Sequence, residues 1–191
     1  MQRMEEEIQQ RRGDPTESTP FLSGAEGWAD LHTHTTHSDG ALTTRELLTR
    51  ARDKGLQALA ITDHDNVAAV VEAIELGTQY GIQIISGVEL SVTMEEKDIH
   101  VLAYCFDHTK PELLDYLRFF REERVHRAER MVRKLNNINI PLKMESVLEQ
   151  AGIGSVGRPH IANALVESGW TGSYHEAFEK YIGMGGPAFE K

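Results

Sequence analysis

The stretch that decides the fold is Asp30-Leu31-His32-Thr33-His34-Thr35-Thr36-His37-Ser38-Asp39-Gly40, at the end of the first apolar run of the chain. Side chains alternate along a strand, so His32 and His34 share one face. Two imidazoles about 7 Å apart on one face can chelate a single divalent ion. Asp39 follows in a turn, where its hard carboxylate could serve a second ion.

Further strands and helices follow this motif. Short apolar runs predict four strands, at 28–34, 56–62, 82–90 and 99–104. Helices are predicted at 44–54, after the capping box Thr43-Thr44-Arg45-Glu46, and between Asn66 and Gly81. Strand, helix, strand, helix, strand implies right-handed crossovers and a parallel sheet, either covered by helices or closed into a barrel.

Each later strand carries another candidate ligand. His64 follows the second strand, Glu89 ends the third and His100 lies near the start of the fourth. Loops at the carboxyl ends of parallel strands form one rim, so these side chains should converge with the first motif. One such histidine would more often be structural, but five such groups at strand ends favour a metal centre.

At this point the chain resembles the PHP (polymerase and histidinol phosphatase) family over roughly residues 28–190. The resemblance implies an α/β fold, part of a distorted, TIM-like, seven-stranded β/α barrel, with a helical insertion subdomain. It also implies two or three divalent metal ions, for which His and carboxylate ligands allow manganese, iron or zinc. Carried over by residue, the first ion takes His32 and His34, the second His100, with Glu89 bridging both, and the third Asp39 and His64.

The activity implied by the resemblance is phosphate ester hydrolysis by water activated between the metal ions. Glu89 is then a catalytic residue as well as a metal ligand. Asp30 and Asp63 are expected to orient ligand imidazoles, the usual task of carboxylates just outside a metal's own ligands. His37 occupies a position that resembles a variable one in the family motif.

A second informative stretch is Gly152-Ile153-Gly154-Ser155-Val156-Gly157-Arg158-Pro159-His160-Ile161-Ala162. It contains G-x-G-x-x-G, but a predicted helix at 144–151 precedes it where a dinucleotide fold requires a strand. The turn should expose unpaired backbone N–H groups at a helix start, beside the Arg158 fork. Similar stretches occur in the PHP branch acting on nucleoside 3′,5′-bisphosphates and RNA 5′ ends, which implies that Arg158 and His160 are catalytic and contact substrate phosphate. A plain helix start with Arg158 in a salt bridge is the alternative.

The net charge of the chain limits the kinds of molecule that it is expected to bind. The chain has 191 residues and a formal net charge of −10, which disfavours broad capture of nucleic acid, so no stable duplex DNA binding is expected. A predicted helix carries six arginines spaced three residues apart, at 118, 121, 124, 127, 130 and 133. This spacing wraps them around the helix and does not place them on one face, so a solvated, salt-bridged helix is favoured over a nucleic-acid-binding face. The expected partner is a phosphorylated small molecule, nucleotide or RNA, and no membrane is expected to take part.

The expected organisation has three parts: a flexible polar tail at 1–26, the barrel portion with the metal ligands at 27–107, and a helical substrate subdomain at 108–191. In the third part a helix should run from the capping box at Thr109 to about Asn137, followed by three shorter helices. The single cysteine excludes a cysteine zinc site, and with no signal peptide or membrane span the expected location is cytoplasmic.

Family members continue beyond the helical segment into strands that carry an Ala-His-Pro motif and an Asp-x-His pair. This sequence has neither, so the chain is expected to be C-terminally truncated, with each metal site one ligand short. Two other functions stay open. One is histidinol phosphate phosphatase, and the other is a catalytically inactive metal-binding PHP scaffold module.

Overall fold

A curled four-stranded sheet forms the first half of the fold, in a computed structural model that describes residues 27–94 and 97–190. The predicted tail at 1–26 lies outside these residues. The strands and helices of this half are β1 (Trp28–Thr33), α1 (Thr44–Asp53), β2 (Leu56–Ile61), α2 (Ala68–Tyr80), β3 (Gln83–Met94) and β4 (Lys97–Tyr104). Strand order is β1-β2-β3-β4, with β1, β2 and β3 parallel. The four strands make a half-barrel and not a closed one.

The fourth strand departs from the prediction. β4 runs antiparallel to β3, with Glu89 opposite Leu102 and Ser91 opposite His100. β3 also continues to Met94, beyond the predicted end at residue 90, so Glu89 lies within the strand. The two strands therefore form a hairpin, a connection that parallel strands cannot make.

The sheet curls far enough for its two outer strands to meet. The Tyr104 hydroxyl on β4 donates to the carbonyl oxygen of Leu31 on β1 at 2.7 Å. Parallel strands twist relative to each other, and four strands with this curl bring β1 opposite β4. Side chains on the concave side of both strands consequently face one another.

Two helices cover the convex side of the sheet. The predicted capping box of α1 is confirmed: Thr43 Oγ1 accepts from the Glu46 N–H, and the Glu46 carboxylate accepts from the Thr43 N–H at 2.9 Å. A buried cluster joins these helices to β2, and its members include Leu48, Leu59, Ile61, Ala73 and Leu76. Burying such side chains contributes about 1.5–3 kcal/mol each, which holds the strand ends in place.

The second half of the chain is helical. It contains α3 (Pro111–Asn137), α4 (Met144–Ala151), α5 (Arg158–Glu167) and α6 (Tyr174–Ala177), followed by a π-helical turn at Phe178–Ile182. The capping box predicted at Thr109 is absent, because Thr109 Oγ1 donates to Asp107 and the helix begins at Pro111. A separate buried cluster holds these helices together, and its large members are Met131, Leu135, Val147, Ile161 and Leu165.

A buried ion pair joins the two halves. Asp65 is fully buried and lies just after β2, and its Oδ2 accepts from Arg124 Nε of α3 at 2.6 Å. Its Oδ1 accepts from the Ser91 N–H at 2.9 Å, and Arg124 Nη2 donates to Ser91 Oγ at 2.6 Å. The long helix is therefore fixed beside the residues that follow His64.

No helix within the described ranges is long and apolar enough to cross a membrane.

Candidate metal centre

The six predicted metal ligands lie together on the concave side of the sheet. They form three overlapping groups whose ligand atoms lie within 4.8 Å of one another. We call them the first trio (His32, His34, Glu89), the second trio (His64, Glu89, His100) and the third trio (His34, Asp39, His64). Each pair of trios shares one residue, as expected for a cluster of adjacent ions.

Glu89 occupies the middle of this cluster. Its Oε2 lies 2.7 Å from His32 Nε2 and 3.0 Å from His34 Nε2, and its Oε1 lies 2.7 Å from His100 Nδ1. The carboxylate is 5% exposed. Burial opposes its ionisation, yet the hydrogen bonds of His32 and His100 and the proximity of His64 keep the pKa of Glu89 below its usual value. Glu89 is therefore an anion that faces all four imidazoles of the cluster.

His100 reaches the cluster by a route that differs from the prediction. The carboxyl ends of parallel strands explain the positions of His34 and His64, but His100 lies on an antiparallel strand. It is the diagonal neighbour of Glu89 across the hairpin, since Glu89 pairs with Leu102 two residues further along β4. Diagonal neighbours on one face are close enough for long side chains to touch.

The third trio lies where the β1 turn approaches β2. Asp39 Oδ2 is 3.5 Å from His64 Nε2, and Asp39 Oδ1 is 3.5 Å from His34 Nδ1. Burial alone would raise the pKa of Asp39, but the hydrogen bond and charge of His64 and the other imidazoles lower it to about 2. Burial, and then His64, lower the pKa of His34. At neutral pH this trio thus offers a carboxylate and a neutral imidazole lone pair.

Cation binding is supported by an unpaired atom. His64 Nδ1 is buried, and within the described residues it has no hydrogen-bond partner. It points toward Glu89 Oε2 at 3.8 Å, too far for a hydrogen bond. A buried polar atom without a partner is costly, and a cation bound between it and Glu89 would remove that cost. The nitrogen and carboxylate donors suit manganese, iron or zinc.

Two carboxylates have other partners than expected. Asp63 is fully buried and accepts from the Thr35 N–H at 2.7 Å, Thr35 Oγ1 at 2.6 Å and Ser38 Oγ at 2.6 Å. Asp30 Oδ1 accepts from the backbone N–H of His32. Among the described residues neither carboxylate bonds to a ligand imidazole directly, and Asp63 reaches His34 through Ser38, whose Oγ lies 3.3 Å from His34 Nδ1. Asp63 also holds the turn that presents Asp39.

The glycine-rich stretch packs against that same turn. A Cβ on Gly154 would lie 2.7 Å from the Ser38 carbonyl oxygen, so only glycine allows this approach. Most N–H groups of the turn are used, including Ser155 to the His37 carbonyl at 3.0 Å and Gly157 to His160 Nδ1 at 2.9 Å. These bonds interrupt the row of unpaired N–H groups that the sequence predicted for this segment.

His160 and Arg158 differ in what the structure leaves open to them. His160 is 5% exposed, its Nδ1 accepts from Gly157 and its Nε2 lies 3.1 Å from the Ser38 carbonyl oxygen, so neither ring nitrogen is free for the predicted phosphate contact. The Arg158 guanidinium lies 5.9 Å from the Phe178 ring centre and 5.6 Å from that of Phe189. Within the described part of the chain it makes no hydrogen bond or ion pair.

The long helix is salt-bridged, as the charge pattern predicted. Arg118 pairs with Asp115, Arg124 with Asp65, and Arg130 with Glu190. Two of these three partners lie outside the helix, which sequence spacing cannot show. The aromatic side chains of the same helix, Phe119 and Phe120, line a cleft next to His100.

Comparison with known proteins identifies the family. A PHP domain model matches residues 30–123. The 5′-3′ exoribonuclease Rnm of Escherichia coli is 39% identical over 82% of this chain and 54% of its own length. The 3′,5′-nucleoside bisphosphate phosphatase of Chromobacterium violaceum is 33% identical over 84% of this chain and 56% of its own length.

Solved structures agree with the sequence relatives. An amidohydrolase from Chromobacterium violaceum, solved with bound sulfate and no metal, has a TM-score of 0.79 and 32% identity, over 85% of this chain and 58% of that one. A candidate metal-dependent phosphoesterase from Bifidobacterium adolescentis also has a TM-score of 0.79 and 32% identity, over 87% and 60%. The chain spans a little over half the length of the curated relatives it matches. With the match of the domain model and the shared fold, residues 30–123 of the chain are identified as a PHP domain.

Proposed function

We propose that the protein is a metal-dependent phosphoesterase that hydrolyses phosphate esters of nucleotides or of RNA 5′ ends. The observation that carries the proposal is the set of three overlapping trios around Glu89. Clustered divalent ions are suited to phosphoryl transfer, since one cluster can hold both the attacking and the leaving oxygen. The half-barrel would then be part of the family's seven-stranded barrel.

The residues of the three trios would hold two or three ions, with Glu89 bridging the first and second. Bound divalent cations supply charge that stabilises phosphoryl oxygens and lowers the pKa of water. Asp39 and Glu89, both ionised at neutral pH, provide the negative charge that retains such cations. Asp63 and His160 would fix the turn that carries Asp39, through Ser38.

Arg158 is the best placed residue for a phosphate contact. Its guanidinium has five donors without a partner among the described residues, and two aromatic rings hold it in place. Burial, and then the charge of Asp39, raise the pKa of the nearby Tyr174 hydroxyl, whereas the charge of Arg158 opposes this shift. Burial is the first cause that raises that pKa, which keeps the hydroxyl a neutral donor. Arg158 begins the same helix as His160, whose Nε2 lies 3.1 Å from the carbonyl oxygen of Ser38, the residue before Asp39.

The names of the relatives support a nucleotide or RNA substrate, because one is an exoribonuclease and another a nucleoside bisphosphate phosphatase. Histidinol phosphate phosphatase and an inactive metal-binding scaffold are the competing functions. They are distinguished by assaying the protein on three substrates: adenosine 3′,5′-bisphosphate, 5′-phosphorylated RNA and histidinol phosphate.

The decisive variant is Glu89→Gln, with Glu72→Gln on the exposed side of α2 as the matched control. Glu89→Gln should reduce metal-dependent turnover to background and lower the bound metal, while circular dichroism stays that of the wild type. Glu72→Gln should leave both metal content and turnover unchanged. Unchanged turnover in Glu89→Gln would disprove the mechanism. A wild-type protein that binds metal yet hydrolyses none of the three substrates would be a scaffold.

A further inference from the structure

A cleft lies between the β3–β4 hairpin and α3, directly beside the metal centre. Its volume is about 290 Å³. His100 lines this cleft and also belongs to the second trio, so the cleft adjoins the metal centre at that side chain. A substrate with its phosphate at the trio can therefore extend a neighbouring group into the cleft.

One wall of the cleft is aromatic and exposed. Phe119 is 57% exposed, and its ring meets Phe120 edge to face, with ring centres 5.4 Å apart. Val92 and Ile99 of the hairpin line the opposite side. An exposed phenylalanine between apolar walls offers a flat surface of the kind on which nucleobases stack, whatever the base.

The remaining wall is basic. Arg124, Arg127 and Arg130 line the cleft against a single glutamate, Glu123. Two of these arginines are paired with carboxylates, Arg124 with Asp65 and Arg130 with Glu190, so their charge is partly neutralised. Arg124 is held rigidly, since it donates to Asp65 Oδ2 and to Ser91 Oγ, both at 2.6 Å. Arginines next to an aromatic surface are the usual combination for a phosphorylated sugar that carries a base.

We propose that this cleft is the base-binding subsite, in which a nucleobase stacks on Phe119 while the ester being hydrolysed lies at the second trio. The proposal rests on the proposed function, because it assumes a nucleotide or RNA substrate. The ligand is the same chemical unit in both cases, a base on a phosphorylated ribose. Phe119 thus determines specificity and takes no part in bond breaking.

The test compares substrates with and without a base. In Phe119→Ala, kcat/KM for adenosine 3′,5′-bisphosphate should fall about tenfold, mainly through KM, which is the size expected for losing one base–aromatic stack. Turnover of glycerol phosphate, which has no base, should not change. Phe119→Trp should keep wild-type nucleotide turnover. Leu114→Ala is the control, since Leu114 is exposed on the same helix, does not line the cleft and lies about 140° around the helix from Phe119.

A binding measurement separates this proposal from the proposed function. A nucleotide that carries the fluorescent base 2-aminopurine should be quenched by the wild type and not by Phe119→Ala. That result supports the subsite even if the wild type hydrolyses nothing. The same assays with a 5′-phosphorylated RNA show whether the base belongs to a free nucleotide or to a chain end.

Equal loss of nucleotide and glycerol phosphate turnover in Phe119→Ala would overturn the proposal, because the side chain would then be structural. Unchanged nucleotide kinetics together with unchanged quenching would also overturn it, and would leave the cleft as a surface for a protein segment.

Discussion

Replacing Asp63 with asparagine should loosen the turn that presents Asp39. The buried carboxylate accepts hydrogen bonds from the Thr35 N–H at 2.7 Å, Thr35 Oγ1 at 2.6 Å and Ser38 Oγ at 2.6 Å. Hydrogen bonds to a charged acceptor contribute about 1.5–3 kcal/mol each, and a neutral amide keeps part of this while its NH₂ group opposes one donor. We expect Asp63→Asn to lower the free energy of unfolding by about 2–4 kcal/mol.

The expected effect is measurable in two ways. One kcal/mol shifts the Tm of a chain of this size by about 2–4 °C, so thermal unfolding should occur about 5–15 °C lower. Metal analysis should show one ion fewer per chain than the wild type, because the third trio depends on Asp39 whereas the second does not. Asp53→Asn is the control, since Asp53 is exposed and pairs with the exposed Arg52. A wild-type Tm and metal content in Asp63→Asn would refute this account of the turn.

Two further variants test other contacts. Arg124→Ala removes the guanidinium that pairs with the buried Asp65 carboxylate, and it should destabilise the protein by about 3–5 kcal/mol in urea denaturation. Arg118→Ala is the control: it breaks the exposed pair with Asp115 and should cost less than about 1 kcal/mol. Equal effects of the two variants would contradict the role given to Arg124. The pKa of Asp39 is lowered to about 2 from an ordinary 3.8, which contributes about 2 kcal/mol to the free energy of unfolding. This contribution is fully present above about pH 4 and is lost as the pH falls through about 2. Metal-free wild type and Asp39→Asn should therefore converge in stability between pH 4 and pH 2, and a constant difference would show that Asp39 is not the group that titrates.

Local patterns predicted most of the half-barrel. Alternation in 28–34, the capping box of α1 and the glycine after it depend only on neighbouring residues, and the structure agrees within a few positions. The orientation of β4 depends instead on how few residues separate it from β3. Only two residues lie between Met94 and Lys97, and parallel pairing would need a connection of about a dozen or more.

Roles were harder to predict than positions. The six candidate ligands do meet, because strand alternation and shared strand ends constrain them strongly. Asp63 contacts Ser38, which is 25 positions away in the sequence, and His160 contacts Ser38 from 122 positions away. No local sequence pattern contains such contacts. The cleft beside His100 was missed for the same reason. Phe119 and Phe120 look like ordinary helix residues until the hairpin is placed against them.

The way the trios share their members has a consequence for how the cluster would fill. Six side chains occupy nine ligand positions, and His34, His64 and Glu89 each serve two trios. The occupancies of neighbouring ions would therefore be linked, because the first ion to bind would orient a side chain that the next one needs. Loss of His32, Asp39 or His100 would empty a single position, whereas loss of a shared residue would weaken two at once. A titration of the apoprotein with metal would then follow a cooperative isotherm and not the sum of independent sites.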